Sequence, residues 1–214
     1  LLIPIFDPFT IAFLRLVQGA AVVLAVFFAR GHSLRSIGLS WWHLLGGLGV
    51  SLNFSMYALS LSYTTASAGV LIVQVQYVTL AVLAAVVLDE RLGPRKVASM
   101  ALVLVGIAVI VGARSDVAHL LAPRYALGNG LMLFSGLGWG VYALSNKALA
   151  RRVGTSSILL PMLGISAAIT GALAATHFQL HSALTLGTWG AVFALGVLAT
   201  GGAGQLYRTT TNPD

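Results

Sequence analysis

Residues 66–88 read ASAGVLIVQVQYVTLAVLAAVVL without a single charge, and DERLGPRK (89–96) separates them from a second apolar run, VASMALVLVGIAVIVG (97–112). A hydrocarbon core of about 30 Å needs roughly 20 helical residues to cross it, and each run, with its flanks, is about that long. Two such runs joined by so short a polar gap make this a membrane protein. The first run nevertheless contains Gln74, Gln76 and Tyr77. Where water is absent, such groups need partners on neighbouring helices or a polar path to line. Function is therefore sought first around this helix.

Composition agrees. The 214 residues are 58% hydrophobic and 8% charged, whereas soluble domains carry about 25% charged residues. Mean hydropathy is +0.94. A formal charge of +7 raises nucleic acid as a partner, but that needs a basic face or stripe. Here the charges sit in short gaps between apolar runs, so no nucleic-acid partner is expected. With no cysteine there is neither a disulfide nor a thiolate metal site, and no cofactor is called for. The chain begins inside an apolar run, without the basic segment of a signal peptide, and stops soon after another. Truncation at both ends is the expectation.

Windows of about 19 residues give an all-α, polytopic membrane bundle with helices near Pro8–Ala29, 43–63, 66–88, 95–113, 127–149, 157–176 and 188–206. Asp7-Pro8 caps the first, with proline at a position where no helical donor is lost, and Gly93-Pro94 divides the third from the fourth. Alternate loops fall on opposite sides, and Lys and Arg divide between them nine to two. The richer side, with Arg30, Arg35, Arg91, Arg95, Lys96, Lys147, Arg151, Arg152 and Arg208, is the cytoplasmic one. Arg15 alone lies inside a span.

A faint internal repeat is present. A shift of about 147 residues lays Trp42 on Trp189, Gly49-Val50 on Gly196-Val197 and Leu59 on Leu206, which makes the second and seventh helices equivalent, as are the first and sixth. An odd number of helices per unit inverts the second copy. Inverted repeats around a midplane site are a transporter architecture.

The residues resemble the EamA-type permeases of the drug/metabolite transporter superfamily. The resemblance is carried by Pro8-Phe9-Thr10-Ile11-Ala12-Phe13-Leu14-Arg15, by Ser62-Tyr63-Thr64-Thr65-Ala66-Ser67-Ala68, by Leu88-Asp89-Glu90-Arg91-Leu92, and by Gly138-Trp139-Gly140-Val141-Tyr142 with Asn146-Lys147. Val73-Gln74-Val75-Gln76-Tyr77 is similar to the paired-glutamine segment of amino-acid-metabolite exporters. The resemblance implies ten helices in two inverted five-helix halves with cytoplasmic termini. Residues 1–113 would be the first half without its first helix, and residues 126–214 the second half without its last two.

Several side chains are candidates for substrate binding. Gln74 and Gln76 lie about 200° apart on a helix, whereas Gln74 and Tyr77 share a face. An isolated membrane glutamine more commonly bonds a neighbouring helix. Arg15 costs about 2 kcal/mol or more at its depth unless it snorkels or pairs. It either reaches the outer interface beside Asp7 or anchors a substrate carboxylate, with Gln18 on the same face. Asn53 and Tyr57 point the same way from the second helix. Trp139 sits mid-helix, where an aromatic belt does not explain it, and is read as a cavity wall. Gly136-xxx-Gly140 and the other glycine clusters are read as packing sites. Asp89 and Glu90 are read as helix-end charges paired with Arg91 or Lys96.

An intramembrane enzyme would need a nucleophile with its base, or facing metal ligands. No HExxH, GxSxG or acidic pair is present, so no catalytic role is expected. A channel or a non-transporting anchor lacks a need for inverted repetition. The sequence is therefore read as a multi-pass permease of the cell inner membrane, exporting small metabolites, amino-acid-related solutes foremost, by alternating access. Its partners are a small-molecule substrate and the lipid bilayer, with no oligomeric state specified. Proton coupling would have to use Glu90, a histidine or a helix outside this chain.

Overall fold

Helix α1 (Pro8–Ala29) begins where Asp7 accepts from the backbone N–H groups of Phe9 and Thr10 at 3.0 and 2.9 Å. The cap and the proline after it start the helix where the sequence places it. The computed structural model describes residues 6–34, 37–91, 93–112, 122–150 and 152–177, together with Gly187, Gly190, Phe193 and Ala194. Among these residues follow α2 (Trp41–Ser60), α3 (Ala66–Ile72), α4 (Val75–Val87), α5 (Pro94–Gly112), α6 (Ala126–Ala150) and α7 (Thr155–His177). The helix read at 188–206 lies almost wholly outside the described residues.

Two helices form the centre. α2 packs against α1, α6 and α7, while α6 also carries α3 and α4. Contacts between side chains give the directions. Phe9 meets His177 and Gly171 faces Phe13, so α1 and α7 are antiparallel. Gly49 faces Gly138 and Thr64 reaches Asn129, so α2 and α6 are antiparallel too. Gly46 and Gly47 face Met162 and Ile165, which makes α2 and α7 parallel. Every one of these directions agrees with strict alternation across a bilayer. One end of the bundle consequently gathers Arg95, Lys96, Lys147 and Arg152; we call it the basic end.

The burial pattern of α2 is inverted relative to a soluble protein. Leu44, Leu48 and Leu52 are exposed while Ser51, Asn53, Ser55 and Ser60 are buried. Large apolar side chains turned outward are stable only against lipid, and small or hydroxyl-bearing residues inside let helices approach and exchange hydrogen bonds. Three described helical stretches, Pro8–Ala29, Ala66–Val87 and Ser157–His177, are by themselves long and apolar enough to cross a membrane. The central α2 and α6 are richer in glycine, serine and asparagine because they face protein rather than lipid. The apolar core joins Leu16 and Val23 of α1, Val50 of α2 and Leu159 and Leu163 of α7.

The third span differs from its reading as one continuous helix. It breaks at Val73 and Gln74, near the middle of the 22-residue stretch. There Gln74 N–H donates to Leu71 O, Gln76 N–H to Val73 O and Tyr77 N–H to Gln74 O, all three residues back instead of four. No proline or glycine marks the site in the sequence.

Candidate functional site

Three polar centres lie along the bundle. The first is the seam between α2 and α6. A Cβ added to Gly49 would stand 2.7 Å from Gly138 O, and one added to Gly138 would stand 2.8 Å from Gly49 O. The two backbones thus touch with no side chain between them. One turn further, Asn53 Nδ2 donates to Ser135 O at 2.9 Å and to Ser135 Oγ at 3.0 Å, and Ser135 Oγ donates to Asn53 O at 3.1 Å. Thr64 Oγ1 donates to Asn129 Oδ1 at 2.6 Å beyond it. Asn53 is therefore placed as a cross-link between helices.

The second centre is the break between α3 and α4. Gln74 Nε2 donates to Val70 O at 3.0 Å, taking the carbonyl that its own backbone N–H would bond in a regular helix. Gly136 of α6 backs onto the break, where a Cβ would come within 3.0 Å of Val73 O. Gly140 packs on Thr79 one turn later. Gly136-xxx-Gly140 is thus a packing site, and what it holds in place is a discontinuity. Gln76 is half-buried beside it. Trp139 is half-buried on α6 and meets the Tyr142 ring edge-on, centroids 5.0 Å apart.

The third centre lies between α1 and α2. Arg15 Cζ stands 4.7 Å from the centre of the Phe54 ring, and Tyr57 is within its electrostatic reach. Arg15 Nε and Gln18 Oε1 are both buried without a hydrogen-bond partner. No ion pair among the described residues includes Arg15. Asp7, beside which the sequence reading lets Arg15 reach the interface, accepts from the first turn of α1, including the Thr10 hydroxyl. Of the sequence candidates, then, the structure brings Arg15 and Tyr57 together, with Gln18. Phe54 was not legible as their companion. It looks like one more apolar residue of a membrane helix.

At the basic end, a cavity of about 390 Å³ opens between α4, α5 and α6. Tyr77 lies at its apolar end and Glu90, Arg95, Lys96 and Lys147 at the other. Asp89, in the left-handed region at φ 51°, turns the chain so that Glu90 N–H returns to Ala84 O at 3.2 Å. That turn sets the Glu90 carboxylate between Lys147 Nζ at 2.5 Å and Lys96 Nζ at 3.2 Å. Hydrogen bonds from Lys147 and then Lys96 hold the carboxyl below its usual range. The Lys96 pairing is as read from the sequence; the Lys147 pairing, 57 residues away, is not, because no local spacing points to it.

The geometry thus offers Arg15 and Gln18 on α1, each with an unsatisfied polar atom, a helix break within the third span and a cavity at the basic end, with no metal-ligand cluster among the described residues. Residues 1–112 match the EamA-like transporter family. The chain belongs to that family. It is 32% identical over 149 residues to an uncharacterized transporter of Archaeoglobus fulgidus, covering 68% of this chain and 50% of the relative. An uncharacterized transporter of Haemophilus influenzae is 25% identical over 123 residues, 58% of this chain and 40% of the relative. The chain thus spans half or less of the length of these two relatives. A solved crystal structure superposes with a TM-score of 0.72 at 27% identity, covering 89% of this chain and 66% of the other. For an EamA-like protein the helical membrane bundle follows, and membership points to transport rather than to an enzyme.

Proposed function

We propose that this chain carries the substrate-binding part of an inner-membrane permease that exports small carboxylate-bearing metabolites, amino-acid-related solutes foremost, by alternating access. The observation that carries the reading is Arg15. A half-buried guanidinium whose Nε has no hydrogen-bond partner among the described residues is costly in a membrane bundle, and a substrate carboxylate offset by Gln18 and Tyr57 would relieve that cost. The basic end faces the cytoplasm in this reading, so that substrate enters from that end and the break at Gln74, with Tyr77 on the same face, lies between that end and Arg15. Gln76, Asn53 and Trp139 would shape the walls through the helices they hold.

The inverted-repeat reading supports the mechanism. Leu16 and Leu163 are equated by the shift of about 147 residues, and they share one core cluster, as residues on either side of a pseudo-twofold axis would. Residues 1–113 and 126–214 would be the two halves.

The test is efflux from cells carrying the full-length gene. A charge-assisted hydrogen bond contributes about 1.5–3 kcal/mol, so Arg15→Gln should cut substrate affinity about ten- to hundredfold at unchanged membrane abundance. Arg15→Lys should retain part of it. Wild-type efflux by Arg15→Gln would remove the carboxylate anchor from the mechanism.

A further inference from the structure

The cavity at the basic end has a polarity profile that a soluble solute does not require. Its rim holds Arg95, Lys96 and Lys147 against the single carboxylate of Glu90, a surplus of two positive charges. Below the rim the wall becomes apolar, through Ala84 and Met100 to Leu80 and then Tyr77. From Tyr77 to Val87 the α4 axis advances about 15 Å at 1.5 Å per residue, so the gradient from charge to hydrocarbon runs along the helix axis. The flank of the cavity is α5, whose packing against other helices is slight and whose Leu102, Val105 and Val109 are 73%, 57% and 64% exposed. Among the described residues nothing covers that side. The N-terminus of α5 also lies at the rim, and its dipole favours an anion there.

We propose that this cavity binds one acidic phospholipid, with the phosphodiester over Arg95 and Lys96 and an acyl chain along Leu80, Ala84 and Met100. Glu90 does not oppose this, because its carboxylate is satisfied by Lys147 and Lys96; it fixes the two ammonium groups at the spacing of a rim. Basic pockets between membrane helices on the cytoplasmic side recognise such headgroups. Arg95, exposed and at the mouth, supplies the charge that no carboxylate of the ion pairs above shares. The site does not depend on the transport reading, since the lipid is recognised from the bilayer side.

These 214 residues contain no cysteine. In the full-length protein, with any cysteine outside them replaced by serine, Met100→Cys puts one thiol on the cavity wall. Its maleimide labelling is followed in nanodiscs of phosphatidylcholine, of phosphatidylcholine with phosphatidylglycerol, and of phosphatidylcholine with inorganic phosphate. Phosphatidylglycerol should slow labelling, and Arg95→Gln should weaken that protection about fivefold, the factor expected of one interfacial charge. Arg95→Lys should restore most of it, and Arg91→Gln, an exposed charge outside the cavity, should leave it unchanged. Labelling indifferent to phosphatidylglycerol would overturn the proposal. Equal effects of Arg91→Gln and Arg95→Gln would overturn it too, by showing only a general surface potential. Protection by inorganic phosphate alone would reassign the cavity to a soluble anion and overturn the lipid.

Discussion

Gly138→Ala is expected to be a strongly damaging single-methyl change in the α2/α6 seam. The new Cβ would lie 2.8 Å from Gly49 O and 2.9 Å from Asn53 N, both backbone atoms, so no side chain can rotate away. Forcing such an overlap typically costs about 1–3 kcal/mol. Separating the helices also stretches the Asn53–Ser135 bonds, each worth about 0.6 kcal/mol in a membrane protein. The total is about 2–4 kcal/mol. Gly46→Ala is the matched control, because the three atoms nearest its Cβ all belong to the Met162 side chain, a flexible thioether that re-packs for less than about 1 kcal/mol. Both variants of the full-length protein would be unfolded by SDS titration in mixed micelles and followed by tryptophan fluorescence. If Gly138→Ala unfolds no earlier than Gly46→Ala, the backbone contact is not what holds the seam.

Three further outcomes follow from the geometry. Glu90 is held below its usual value of 4.5, so its bridge stabilises above that pH and is lost as pH falls through the depressed value. The melting-temperature advantage of wild type over Glu90→Gln should be present near neutral pH and shrink in acid, and a constant gap would remove the bridge. Gln74→Leu strips the Val70 carbonyl of its side-chain donor and should cost about 1–2 kcal/mol together with efflux, whereas normal stability would mean that the break needs no cap. For orientation, single cysteines at Ser62 and Ser33 should label oppositely with an impermeant maleimide in intact cells, Ser62 reacting from outside; the reverse would invert the topology.

Helix existence was legible because apolar length and the Asp7-Pro8 and Gly93-Pro94 boundaries are local properties of the chain. The break at Val73 and Gln74 was not. It arises from a side-chain amide replacing a backbone donor and from α6 lying against it at Gly136, and neither leaves a proline or glycine at the break. Asn53 and Tyr57, four residues apart, share one face of a helix by their spacing. The bundle instead offers Asn53 a partner on α6 and Tyr57 one on α1, so neighbours on the same helix serve different interfaces. Arg15 was legible as an anomaly from its charge alone; that Phe54 and not Asp7 would meet it depended on how α1 leans on α2.

The seam also bears on how such a molecule can move. Where two main chains rest on one another with nothing interposed, there is no cushion of rotamers to absorb a slide, so α2 and α6 behave as a single rigid spine. One of them lies in residues 1–113 and the other in residues 126–214. In the proposed alternating-access reading, a motion that turns Arg15 from one face of the membrane to the other would swing α1 with α7, or the broken α3/α4 arm, about that spine. In the proposed two-half reading the mobile parts would be drawn from both halves at once, and the joint would be bolted across the boundary between them.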